Sequence, residues 1–275
     1  MNAYRNRGGG QLRIRALLDA GNNNSDPDQM LMEFAADEIL DEVVANEADI
    51  RRRIRGIAER FKEAHKSALE NTRLYLSIVN ELDIYVATSM RKRDDFRNMA
   101  RDCDYIFKQE ALRPLHIRYF DPTMSAAEGH EDKGLIECLM VKCARAVLYF
   151  AGDSDSFGKD AEIAMAMSLG KPVVILCPDS EKGLQRKRIF RDIHPLSRLI
   201  HFDSGVACGA IVTEKRDIAA KVLERIFHNA MEYDLDHKGD GYFRLKERLT
   251  GSVVRLRTNS RILQESFWNY YHGVK

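Results

Sequence analysis

Short apolar runs rich in β-branched residues, alternating with amphipathic stretches, constrain the fold of this chain more than any other feature. The first run, LDIYVATS from Leu82 to Ser89, ends in small polar residues. Runs at 115–120 and 146–151 follow, then PVVILC from Pro172 to Cys177, and a weaker run at 199–202. Each reads as a strand, because short bounded apolar runs suit a sheet covered on both faces. Helical spacing of apolar residues fills the gaps at 94–109, 133–143, 159–169 and 181–191. Strand alternating with helix predicts an α/β fold, a Rossmann/flavodoxin-like parallel sheet with helices on both faces. Such sheets bind ligands at the carboxyl ends of their strands. That rule selects the loops at 88–93, 121–133 and 152–162, which are rich in polar residues where the strands are not.

The flanks read differently. Residues 1–27 carry Gly8-Gly9-Gly10 and Gly21-Asn22-Asn23-Asn24, and are expected to form a flexible segment. Residues 28–80 form a helical arm with two apolar series, Met30 to Val44 and Ile50 to Phe61, expected as two long helices. Arg51, Arg52, Arg53 and Arg55 read as a solvated helix face; nucleic-acid contact is the alternative. The nucleotide-binding domain is expected over 81–204. Residues 205–275 are expected as a C-terminal helical extension packing on the core, with the aromatic end Phe267-Trp268-Asn269-Tyr270-Tyr271 against the body of the protein.

Lys and Arg number 43 against 42 Asp and Glu, so no net charge drives the chain towards nucleic acid or anionic membrane. The five cysteines are odd in number and form no CxxC pair, which fits reduced thiols and no metal site. The polar N-terminus and the absence of a long apolar span lead to an expected cytoplasmic location without membrane contact.

The densest chemistry lies in GDSDSFGKDAEIAMAMSLGKP, from Gly152 to Pro172. Glycine and small polar residues separate a strand from a helix whose first N–H groups suit a phosphate or carboxylate. Ser156 is the expected cap, and Glu162 falls about one turn into the helix, facing the strand ends. Nearby N–H dipoles are expected to hold Glu162 ionised. Elsewhere Ser89, Arg91 and Arg93 follow the first strand, where they suit a 5′-phosphate or a solvated helix start. His130, in Gly129-His130-Glu131-Asp132-Lys133, suits substrate orientation, proton transfer or helix capping.

The Gly152–Pro172 segment resembles the nucleoside 2-deoxyribosyltransferases and related nucleotide N-glycosidases. In these, a loop with Asp and Gly leads into a helix bearing the catalytic Glu and closing on a GKP turn. Asp155, Gly158, Glu162 and Gly170-Lys171-Pro172 match that pattern, and Ile84-Tyr85-Val86-Ala87 with Thr88 and Ser89 resembles the family's opening strand. The resemblance covers roughly residues 82–201. Lys159 stands where the family has Thr, and Arg145 or Ala144 where it has an acid. The same layout resembles phosphoribohydrolases and, more distantly, NAD-cleaving TIR domains.

The resemblance implies cleavage of an N-glycosidic bond in a nucleoside, nucleotide or NAD, with Glu162 attacking or stabilising C1′. Asp155, Asp153 and Asp121 are candidates for the second acid or for base recognition; each also suits a loop cap. Tyr85, Thr88, Ser89, Arg91, His130, Asp153, Ser156, Gly158 and Lys159 are the expected substrate contacts, with no cofactor. The flanking helices suit a homo-oligomer or a regulatory partner through residues 28–80, and by analogy an effector of a bacterial defence system. Two other readings use the same residues: a nucleotide-sensing module without turnover, and an interaction protein assembled through its helical arms.

Overall fold

A computed structural model of the chain describes residues 47–88, 93–152, 156–193, 198–201, 206–237 and 243–257. The segment expected to be flexible (1–27), the first apolar series of the arm and the aromatic end lie outside these residues. The chain divides into two compact units, 1–72 and 73–275. The second apolar series forms one helix, α1 (Glu47–Ser77). Arg52 and Arg55 are exposed on it.

In the second unit the strands and helices alternate as β1 (Ile84–Ala87), α2 (Arg93–Phe107), β2 (Tyr119–Phe120), α3 (His130–Cys143), β3 (Ala146–Phe150), α4 (Phe157–Ser168), β4 (Val173–Leu176) and α5 (Glu181–Arg188). After β5 (Arg198–His201) and β6 (Val206–Gly209) come β7 (Ile211–Thr213) and α6 (Arg216–Phe227). Five strands form one parallel sheet in the order β2-β1-β3-β4-β7. This is the doubly wound, flavodoxin-like order, whose direction reverses between β1 and β3.

Every residue of β1, β3 and β4 is buried, because both faces are covered. On one face Tyr85, Val147, Tyr149 and Ile175 pack with Met140 and Val141 of α3 and Ile163, Ala166 and Met167 of α4. On the other, Ile84, Val86, Leu148 and Val174 pack with Met99, Cys103 and Ile106 of α2 and Ala219, Val222 and Leu223 of α6.

The GKP turn has a structural reason for each residue. Gly170 adopts φ +70°, where a side chain is strained. Its N–H donates to Met167 O, and Lys171 N–H to Ala166 O, each at 3.0 Å, which closes α4 as a Schellman motif. Lys171 Nζ reaches across to the end of α3, donating to Lys142 O at 2.7 Å and to Ala144 O. Pro172 then opens the next strand and accepts Val147 N–H at 3.0 Å.

Two boundaries differ from expectation. The core does not stop at 204, because β7 pairs with β4 and α6 covers one face of the sheet. The expected C-terminal helical extension holds one helix, α6, among its described residues. Residues 233–257 form β8 (Tyr233–His237), β9 (Phe243–Glu247) and β10 (Val253–Arg257) instead. These join β5 and β6 in an antiparallel sheet of order β5-β6-β10-β9-β8, so the run at 199–202 is not a parallel strand. Period-two alternation, visible in FRLKE, outweighs the local helical spacing once a tight turn pairs the strands.

That turn docks on the parallel sheet. Fully buried Glu247 accepts from the N–H groups of Leu249 and Thr250 and from Thr250 Oγ1, each at 2.8 Å. Ser252 Oγ accepts Val212 N–H of β7 at 2.9 Å. Gly170→Ala is expected to lower the unfolding free energy by about 1–2 kcal/mol, the cost of a side chain in the left-handed region. Denaturant unfolding should show a lower midpoint with an unchanged slope.

Candidate functional site

The centre of the site is the Glu162 carboxyl. It lies in the second turn of α4, half-buried between that helix, β1 and α3. The Tyr85 phenol, projecting from β1, lies close enough to lower its affinity for a proton. Tyr85 is itself fixed by burial at 2% exposure and by stacking on Phe120, with centroids 5.5 Å apart. The second oxygen, Glu162 Oε2, is buried and has no hydrogen-bond partner. A buried carboxyl oxygen without a protein partner is costly unless a water, an ion or a ligand supplies one.

Burial and the neighbouring charge of Glu137 push the Glu162 carboxyl up to about 8, against weaker opposing effects of Tyr85, Lys133 and Lys159. The free protein therefore holds Glu162 largely protonated at neutral pH. The expectation that helix dipoles keep it ionised fails because desolvation by burial is the largest influence on the carboxyl. Burial also raises the carboxyl of Glu137, which Lys133 Nζ approaches at 3.8 Å and partly offsets. Tyr85 is raised well above its ordinary range by burial and by Glu162.

Lys159 is 2% exposed. Its ammonium donates to the carbonyls of Phe150 and Ala151, both at 3.0 Å, and lies 4.8 Å from the centre of the Tyr149 ring. The Tyr149 hydroxyl in turn donates to Asp160 Oδ1 at 3.1 Å. An expected substrate contact is thus an internal strut that ties the start of α4 to the end of β3. Gly152, with φ +62°, makes the bend just beyond those carbonyls.

The other expected site residues lie at several places. Ser156 occupies the N-cap position of α4 but makes no side-chain cap bond, and its carbonyl accepts Asp160 N–H at 3.0 Å. Gly158 is exposed, and a Cβ there would meet nothing closer than Ser156 Oγ at 4.0 Å, so packing does not demand glycine. Thr88 is half-buried where β1 ends, and His130 is the first residue of α3. Asp121 caps a short turn after β2: its Oδ1 accepts from Thr123 N–H at 2.8 Å and Thr123 Oγ1 at 2.6 Å. This is the loop-capping role. Ser89, Arg91, Asp153 and Asp155 lie outside the described residues.

Arg145, which stands where the resembled family has an acid, closes the opposite end of the sheet. Its Nη1 lies 3.3 Å from Asp83 Oδ1, and its guanidinium covers the Phe227 ring at 4.8 Å. Glu137 was missed in the sequence, although a signal existed. It sits beside Ile136 and one turn before Val141, on the buried phase of α3, where a carboxylate is unexpected. Among the described residues, no group of three or more His, Cys, Asp or Glu is placed to hold a metal ion. No helix among them is long and apolar enough to cross a membrane.

No family model matches the chain, and neither a curated protein nor a solved structure matches it.

Because the folded protein resists ionising Glu162, its stability falls as pH rises. Below pH about 4.5 both folded and unfolded carboxyls are protonated and the group contributes nothing. Between about 4.5 and about 8 only the unfolded chain loses the proton, so stability declines by up to about 1.4 kcal/mol per pH unit. Glu162→Gln is expected to remove this decline, matching the parent at pH 4.5 and exceeding it at pH 8 in denaturant unfolding. Equal slopes for both proteins would contradict the burial. Lys159→Met leaves two carbonyls without their donor and is expected to cost roughly 2–4 kcal/mol in the same measurement.

Proposed function

We propose that the protein cleaves an N-glycosidic bond in a nucleoside, nucleotide or NAD, with Glu162 as the group that meets C1′. The carrying observation is the buried Glu162 carboxyl, close to the Tyr85 phenol and with its Oε2 unpaired, beside a second raised carboxyl on α3. The resemblance of residues 82–201 to nucleoside 2-deoxyribosyltransferases and related N-glycosidases supports the same reading.

Cleavage of such a bond needs a carboxylate at the sugar carbon and an acid for the departing base. Glu162 and Glu137 repel each other's charge, so the pair favours keeping one proton near neutral pH. Burial raises the proton affinity of both carboxyls. As positive charge develops at C1′, an ionised Glu162 becomes favourable, and the proton is left to Glu137 or to a side chain of the β3–α4 loop. Glu162 then forms the bond to C1′ or stabilises the oxocarbenium-like centre. The C1′–N electron pair departs with the base, which takes the proton. Water as acceptor gives hydrolysis; a second base gives transfer. The long helix α1 fits an enzyme governed by self-association or by a partner, as in effectors of bacterial defence systems, and a cytoplasmic setting fits the substrate class.

The test is incubation of the full chain and Glu162→Gln with NAD and with ribo- and deoxyribonucleosides and their monophosphates, following free base by chromatography. The parent is expected to release base and the variant to lose about a hundredfold or more of the rate. Nucleotide binding by both proteins without release would replace this reading with the nucleotide-sensing one.

A further inference from the structure

α3 is apolar on both sides. Its inner side supplies Met140 and Val141 to the core. Its outer side carries Leu135, 71% exposed, and Leu139, 39% exposed, one turn apart, with exposed Cys138 beside them. A helix apolar all round is ordinarily covered all round. The outer stripe runs at helical spacing from Glu131 through Leu135, Cys138 and Leu139 to Lys142, and every one of these residues is exposed. The stripe is acidic at its first residue, basic at its last and apolar in the middle.

That order fits its own reverse. Two such helices laid antiparallel about a two-fold axis place Glu131 of each copy opposite Lys142 of the other. The leucines meet at the centre, with Cys138 close to the axis. A self-complementary patch of this kind is what an isologous contact requires, and the paired charges fix the antiparallel direction. At about 1.5 Å per residue the helix offers roughly 20 Å of seam. We propose that the outer stripe of α3 is a self-association surface that takes α3 of a second copy of this chain. Glu137 lies on another side of the same helix, so such a contact joins two candidate sites through their α3 helices.

Glu131 and Lys142 also suit the helix dipole, acid at the N-terminus and base at the C-terminus. The charge-swapped double variant separates the two roles. Reversing both charges is unfavourable for an isolated α3 but restores complementarity between two copies. Sedimentation of the full chain across a concentration series is expected to show a dimer. Glu131→Lys and Lys142→Glu should each weaken it by about tenfold or more, and the double variant should recover most of the loss. Leu135→Glu should abolish it, with far-UV circular dichroism unchanged. In the parent dimer, Cys138 should react slowly with a bulky maleimide. A parent that stays monomeric overturns the proposal, whether Cys138 is open or shielded by other parts of the chain. So does a dimer indifferent to Leu135→Glu, or single charge reversals that the double variant fails to rescue.

Discussion

The buried ammonium of Lys159 is the contact on which the organisation of the site depends. A central parallel strand must end where the next helix begins, and its last carbonyls leave the ladder there. Lys159 comes up from the first turn of α4 and occupies the carbonyls of Phe150 and Ala151. The desolvation of that charge is offset by these two oxygens and by the face of Tyr149. The start of α4 is therefore tied to the end of β3, and Glu162 comes less than one full turn further along. An anchored helix start is what allows a carboxyl to be held at a fixed depth against β1.

That depth sets the chemistry available. At the mouth of the loop a carboxylate would be solvated and ordinary. Against Tyr85 and Glu137 it is short of water and close to like charge, and its affinity for a proton rises accordingly. The nearby Tyr85 phenol offsets part of that rise. The result is a carboxyl whose proton affinity is set by burial and a neighbouring charge, a combination met more often at reactive sites than elsewhere.

Much of this was legible in the sequence, for identifiable reasons. Fully buried strands such as PVVILC leave a continuous apolar run, and helices that cover them leave a period near four, so the doubly wound core could be read directly. The GKP turn was legible too, although the structure gives Gly170 and Lys171 helix-closing duties that any fold of this kind could use. Glu162 stands out through its place after a glycine-bearing loop, and its burial against β1 and α3 adds to that. Its protonation was not legible, because the sign of a pKa shift depends on which way the side chain turns. Glu137 escaped because a lone Glu in a helix is ordinarily solvent-facing, and only the packing of α3 against α4 places it beside Glu162. The C-terminal strands escaped because β8 is short and exposed along most of its length, with little apolar alternation to mark it. The docking of β7, three residues long, rests on partners distant in sequence.

The hydrogen bond from Val212 to Ser252 has a consequence for how this molecule meets others of its kind. The last strand of an open parallel sheet presents a row of backbone donors and acceptors that any extended segment can extend into a larger sheet, the first step of amyloid-like growth. Here a hydroxyl from the chain's own later turn occupies a donor in the middle of that row, and the turn is held rigid by the buried Glu247. The opposite margin, β2, is two residues long and offers an incoming strand too little backbone to grip. Both margins of the sheet are thereby poor templates, so extension of this sheet strand by strand is disfavoured by the backbone itself.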